Sequence, residues 1–127
     1  VNHYEDAAQA AVIAWAMVAR LPNPPVAQKN RVSDYLYHPA NGGKRSPREA
    51  ARLKAQGVKA GVMDLHLVIP RVPYTGLWIE MKHGKNKPTD GQKDWAEIVT
   101  ACGAKVVVCY TAQEAIDTIV EYLKVSQ

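Results

Sequence analysis

The chain has 127 residues, 47% of them apolar and 22% charged, with a formal net charge of +4. A chain of this size can bury roughly two-thirds of its unfolded surface, so it reads as one compact globular domain, residues 1–127, that needs no disulfides to hold a core. Two cysteines without C-x-x-C spacing, and no apolar run of the about 20 residues that a bilayer requires, exclude a disulfide knot and a membrane-spanning protein, and the apolar content excludes a disordered tail.

Residues 4–21 are rich in alanine and other helix formers and predict a mostly buried helix that ends before Pro22. Glu5 and Asp6 stand where a secretory signal would carry cations, so no signal peptide is expected, and the sparse cysteines suit a reducing, cytoplasmic setting. After the stiff Pro-Asn-Pro-Pro connector, residues 35–37 suit a short extended piece, followed by a loop over 38–43. The next helix is well marked: Ser46 caps it, Pro47 suits its first turn, Glu49 completes a capping box and Gly57 closes it. Residues 62–69 and 77–82 predict two strands, antiparallel across the turn at 71–76. Thr89 and Gln92 form a second capping box on a helix that reaches Gly103, the valine-rich run 105–110 reads as a buried strand, and Thr111 and Glu114 open a last helix ending near Lys124. This order describes an α/β fold: a mixed central sheet flanked by helices.

Charge is unevenly spread. Residues 28–59 carry eight lysines and arginines against Asp34 and Glu49, and residues 82–94 add Lys82, Lys85, Lys87 and Lys93. Both ends of the chain are net acidic. A basic middle is what phosphate neutralisation requires, although a solvated lysine-rich surface has the same composition.

Between the two basic stretches lie the residues that carry chemistry. Asp64 and Glu80 fall in adjacent predicted strands, and Glu80 and Lys82, two apart, share one strand face at roughly 6–7 Å. Ile79 and Met81 then point into the apolar layer, and Asp64 joins the pair if the hairpin is in register. Paired carboxylates of this kind suit Mg²⁺, which takes one or two protein carboxylates plus waters and phosphate oxygens. Taken alone, an E-x-K tripeptide reads first as a surface salt bridge on a half-exposed strand.

The ordered set is more specific. Gly61-Val62-Met63-Asp64, Ile79-Glu80-Met81-Lys82 and Gln92 with Trp95 resemble the PD-(D/E)xK nuclease superfamily, and more closely its VRR-NUC family in the small stand-alone form found in phages and prophages. Upstream, the stretches 38–45 and 50–61 look like that family's loop and helix before the first catalytic strand. Met63 departs from the pattern, because the family often has proline there, but it neighbours a ligand rather than being one.

The resemblance implies a restriction-endonuclease-like core and a Mg²⁺- or Mn²⁺-dependent DNA endonuclease without an organic cofactor. Asp64 and Glu80 would hold the metal with the Met81 backbone carbonyl, and Lys82 would orient water or stabilise the developing anion. Gln92 has two readings, closing the Thr89 box or reaching the site, and one residue is not expected to do both. Glu5 matches an acidic position of the family's first helix and would complete the metal shell, with Asp6 competing for the role and helix-end electrostatics as the plain alternative. Asn41, Gly42, Gly43, Lys44 and Arg45 would bring amides and cations to a phosphate, or form an ordinary turn; Lys85 and Lys87 are phosphate contacts or plain loop lysines. His66 lines the site or is structural. The cysteines with His66 or His83 lack zinc-ligand spacing, and Trp15, Trp78 and Trp95 read as core. The expected substrate is branched DNA, four-way (Holliday) junctions first, cut by a homodimer with paired sites. A flap, splayed-arm or single-strand nuclease, or a non-catalytic DNA-binding module of the same fold, are the alternatives.

Overall fold

The computed structural model describes residues 3–40 and 46–124. Four strands, β1 (Leu36–Tyr37), β2 (Leu65–Leu67), β3 (Leu77–Met81) and β4 (Lys105–Cys109), form one sheet in the order β1-β2-β3-β4. The first three are antiparallel neighbours, and β4 runs parallel to β3. A parallel pair needs a long crossover, and helix α3 (Asp90–Ala101) supplies it. Helices α1 (His3–Val18) and α4 (Ala112–Lys124) pack on one sheet face, and α2 (Pro47–Ala55) lies between β1 and β2 in sequence. No helix among the described residues is long and apolar enough to cross a membrane.

The period of two along β3 divides its residues between two cores. Leu77, Ile79 and Met81 join Val12, Ala16, Leu65, Leu67, Ile119 and Tyr122 beneath α1 and α4. Trp78 points the other way, into a smaller cluster with Met63, Val99 and Ala104 beneath α3. All five β3 residues are therefore buried, and at about 1.5–3 kcal/mol for each large apolar side chain this is the most strongly anchored strand. Glu80 belongs to the Trp78 side. At 2% exposure it is the single buried polar residue among those described, which replaces the half-exposed surface pair of the plainer reading.

Two boundaries and one cap differ most from the sequence expectation. Helix α1 stops at Val18 rather than reaching the Pro22 boundary, because the chain turns to pair with itself: Leu21 N–H donates to the Asn30 carbonyl and Val32 N–H to that of Ala19. Strand β2 is limited to three residues, since Met63 enters the α3-side core and Asp64 spends its side chain on β3. The Ser46 box is half formed: Ser46 Oγ accepts from Glu49 N–H at 3.1 Å, but the Glu49 carboxylate turns to Arg52 at 3.9 Å. The Thr89 box forms in full. A cleft of about 710 Å³ lies between α2 and α3, lined by Leu53, Val58, Trp95 and Ile98; neither Asp64 nor Glu80 reaches it.

Candidate active site

The strand register places Asp64 opposite Glu80. Leu65 pairs with Ile79, so the residue just before β2 and the one after Ile79 on β3 stand side by side. Parallel pairing sends the Lys82 N–H to the Cys109 carbonyl, leaving the Met81 N–H facing β2. Asp64 Oδ2 accepts that N–H at 2.8 Å, so a carboxylate takes the place of a ladder carbonyl and ends the strand.

Glu80 is held from two sides. Its Oε2 accepts from Gln92 Nε2 at 2.7 Å and lies 3.3 Å from Lys82 Nζ. Its Oε1 is buried with no hydrogen-bond partner. Burial first, and the neighbouring Asp64 charge second, push the Glu80 carboxyl up to about 7, against the pull of Lys82. Burial likewise raises Asp64, offset in part by the Met81 hydrogen bond. Burial raises both acids, the Asp64 charge raises Glu80 further, and with one buried oxygen unsatisfied the pair needs either a shared proton or a cation. That donor set, two hard oxygen groups beside a single ammonium, fits a divalent metal. Among the described residues no three His, Cys, Asp or Glu side chains gather into a metal-holding group.

Gln92 fills both roles that the sequence set against each other. Its Oε1 accepts from Thr89 N–H at 2.9 Å, closing the capping box, while its Nε2 reaches Glu80. The expectation that one residue could not manage both is corrected: the amide has two ends, and the first turn of α3 sits directly over the carboxylates. A glycine contact sets that position. Gly61 adopts φ +88, and a Cβ there would stand 2.5 Å from the Gly91 carbonyl carbon. The G-x-x-D glycine thus lets the chain ahead of Asp64 touch the start of α3.

Glu5 is brought to the loop after β3. Its Oε2 accepts from His83 N–H at 3.0 Å and Asn86 Nδ2 at 3.3 Å, and Tyr4 stacks on His83 with ring centroids 4.3 Å apart. Lys85 and Lys87 are exposed on this tethered loop. Asn41, Gly42, Gly43, Lys44 and Arg45 lie outside the described residues.

Two histidines adjoin the site, of which only His66 was singled out from sequence. His38 Nδ1 lies 2.6 Å from the Asp64 backbone carbonyl, which can only accept, so Nδ1 carries the proton. His66 stacks on Trp78 at 3.9 Å and hydrogen-bonds the Tyr37 hydroxyl at 3.0 Å, and burial holds its imidazole below the ordinary value. Nothing in local spacing signals His38, which meets Asp64 across 26 positions; alternation from buried Leu36 does place Tyr37 on the carboxylate face. Trp78 is core as expected, and Trp95, partly buried, packs edge-on against it with ring centroids 5.7 Å apart.

The family model of the VRR-NUC domain matches residues 4–113. A solved structure described as a VRR_NUC domain protein is similar at 32% sequence identity and a TM-score of 0.81, over 100% of this chain and 93% of that one. No curated protein matches the sequence.

Proposed function

The chain belongs to the VRR-NUC family, a nuclease-type fold, and from that footing we propose that it is a divalent-metal-dependent endonuclease hydrolysing phosphodiester bonds in branched DNA, four-way junctions first, as a homodimer. The observation that carries this reading is the Asp64–Glu80 pair, with Glu80 Oε1 buried and unsatisfied beside Lys82. A protein that only bound DNA would gain little from two facing acids, one of them buried, turned toward a polyanion.

Asp64, Glu80 and the Met81 carbonyl would hold Mg²⁺ or Mn²⁺, with Glu5 near the same strand end. When bound, the ion supplies Lewis acidity, making water a better nucleophile at neutral pH and drawing charge from the phosphate. The protein's own groups do the rest. Gln92 Nε2 fixes the Glu80 rotamer, and the Met81 N–H fixes that of Asp64. Lys82 Nζ, with its side chain 11% exposed, is positioned to orient the attacking water and to stabilise charge that develops on the phosphate. Lys85, Lys87 and the stretch from Asn41 to Arg45 are the proposed phosphate contacts.

Four-way junction, flap, splayed arm and linear duplex, each end-labelled, test the proposal in Mg²⁺ and Mn²⁺. The parent is expected to cut branched substrates, and Asp64→Ala and Lys82→Ala to lose at least about 100-fold in rate. Cleavage that persists in both variants overturns the site assignment. Binding without cleavage by the parent identifies a DNA-binding module. Sedimentation of the protein with and without junction tests the assembly, and a monomer that resolves junctions by paired nicks contradicts the homodimer.

A further inference from the structure

The sheet face that carries the carboxylates is covered unevenly. Trp95 and Val99 of α3 pack over Trp78 and Val106, on the β3–β4 half. On the β1–β2 half, Tyr37 is 47% exposed. Register makes Tyr37, His66 and Trp78 one continuous row across three strands. Tyr37 meets His66 edge-on, with centroids 5.3 Å apart at 69°, and His66 lies flat on Trp78. Asp64 is two residues before His66, so this aromatic row lies one pleat, roughly 6–7 Å, from the carboxylate row and on the same face.

Resting on the nuclease reading above, we propose that Tyr37 is a stacking subsite for one unpaired nucleobase of the DNA strand whose phosphate lies at Asp64 and Glu80. The ring is fixed in place, because its hydroxyl is occupied by His66 Nδ1 at 3.0 Å and its edge is braced by the imidazole. Tyr37 remains 47% exposed, and a ring restrained in this way has less side-chain entropy to lose when a base stacks on it. The subsite is continuous with the carboxylate row, one nucleotide step from a phosphate held there. Such a surface suits any of the four bases, because stacking is tolerant of sequence. It selects for structure instead: a base inside intact duplex is already stacked on its neighbours, whereas one at a flap, a splayed arm or an opened junction branch is free to turn onto the ring. Tyr37 thus acts as a specificity-determining residue for unpaired nucleotides beside the cut.

The test is a thermodynamic cycle between protein and DNA. Affinities of parent, Tyr37→Ala and Tyr37→Phe are measured by fluorescence anisotropy in Ca²⁺. The DNAs are linear duplex, the best-cleaved branched substrate, and that substrate with an abasic residue at each nucleotide flanking the mapped cut. Tyr37→Ala is expected to weaken branched-DNA binding about five- to hundredfold, leaving duplex binding unchanged, and Tyr37→Phe, which keeps the ring but loses its hydroxyl tether, to fall between Tyr37→Ala and the parent. An abasic residue at one flanking position should cost the parent a similar factor and cost Tyr37→Ala nothing more. Equal affinity of Tyr37→Ala and parent, equal losses on duplex and branched DNA, or additive losses with the abasic site would each overturn the subsite. If Tyr37→Ala does not fold, the parent alone decides: indifference to both abasic positions overturns it. A parent that cuts no branched DNA in Mg²⁺ or Mn²⁺ removes the nuclease reading and this subsite with it; a parent that cuts independently of Tyr37 removes only the subsite.

Discussion

A carboxylate at 2% exposure within a five-residue buried strand is costly unless its charge is matched. Glu80 is matched at Oε2 by Gln92 and Lys82 and left open at Oε1, the oxygen that the proposed metal would satisfy. The consequence is visible without metal. Folding raises the Glu80 carboxyl from 4.5 to about 7, so the native state holds a proton that the unfolded chain has released. The stabilisation is complete below about pH 4.5 and is lost as pH rises through 7. Thermal melting of the metal-free protein should therefore show lower stability at pH 8 than at pH 5, by roughly 2 kcal/mol. The slope should flatten in Glu80→Gln, and Mn²⁺ should restore the pH 8 value in the parent alone. A parent whose melting does not depend on pH across this range would refute the proton-sharing pair.

Between elements, the site depends on how closely α3 approaches the chain ahead of β2. Gly61 and Gly91 touch backbone to backbone, and that contact sets Gln92 over Glu80. Gly61→Ala adds a Cβ into the Gly91 peptide at a residue whose φ is +88, so something must move. It should destabilise the protein by roughly 2 kcal/mol or more. Cleavage measured well below the melting temperature should fall as well, because the start of α3 carries Gln92 away from the carboxylate. Gly57→Ala, also at positive φ but with open space around it, is the matched control and should lower stability while sparing cleavage. Equal activity of the two variants would separate Gln92 from the chemistry. On the opposite flank, Glu5 and Tyr4 tie the loop after β3 to α1, which holds Lys85 and Lys87 beside the strand end.

At the scale of the whole molecule, the formal charge of +4 understates what a polyanion meets. Asp64 and Glu80 would be neutralised by the proposed metal, and the acidic ends of the chain lie apart in sequence from the basic middle. Binding of branched DNA should weaken linearly on a plot of log affinity against log salt. Replacing both Lys85 and Lys87 by alanine should reduce the slope by about 2 if each meets a phosphate in duplex, and less in a single-stranded arm. An unchanged slope would return them to plain loop lysines.

Local pattern was enough to identify much of this protein. The period of two put Glu80 and Lys82 on one face, the S/T-x-x-E/Q spacings marked where α2 and α3 begin, and the ordered G-x-x-D, E-x-K and Gln92 set pointed to the family. Each of these motifs is read over a few residues, where sequence distance and spatial distance coincide, and only their order extends over the longer span 61–92. The decisive features join distant parts of the chain. Burial of β3 on both sides, the His38 contact with the Asp64 carbonyl, the Glu5 tie to His83 78 positions away and the meeting of Gly61 with Gly91 all depend on how the layers pack. The amino-acid sequence by itself determined which groups are available and on which face of a strand they stand. Only tertiary packing decided that Glu80 is dry, that one amide serves both helix and carboxylate, and that an exposed tyrosine stands one pleat away. Desolvation and close approach belong to the assembled layers and not to any local run of residues.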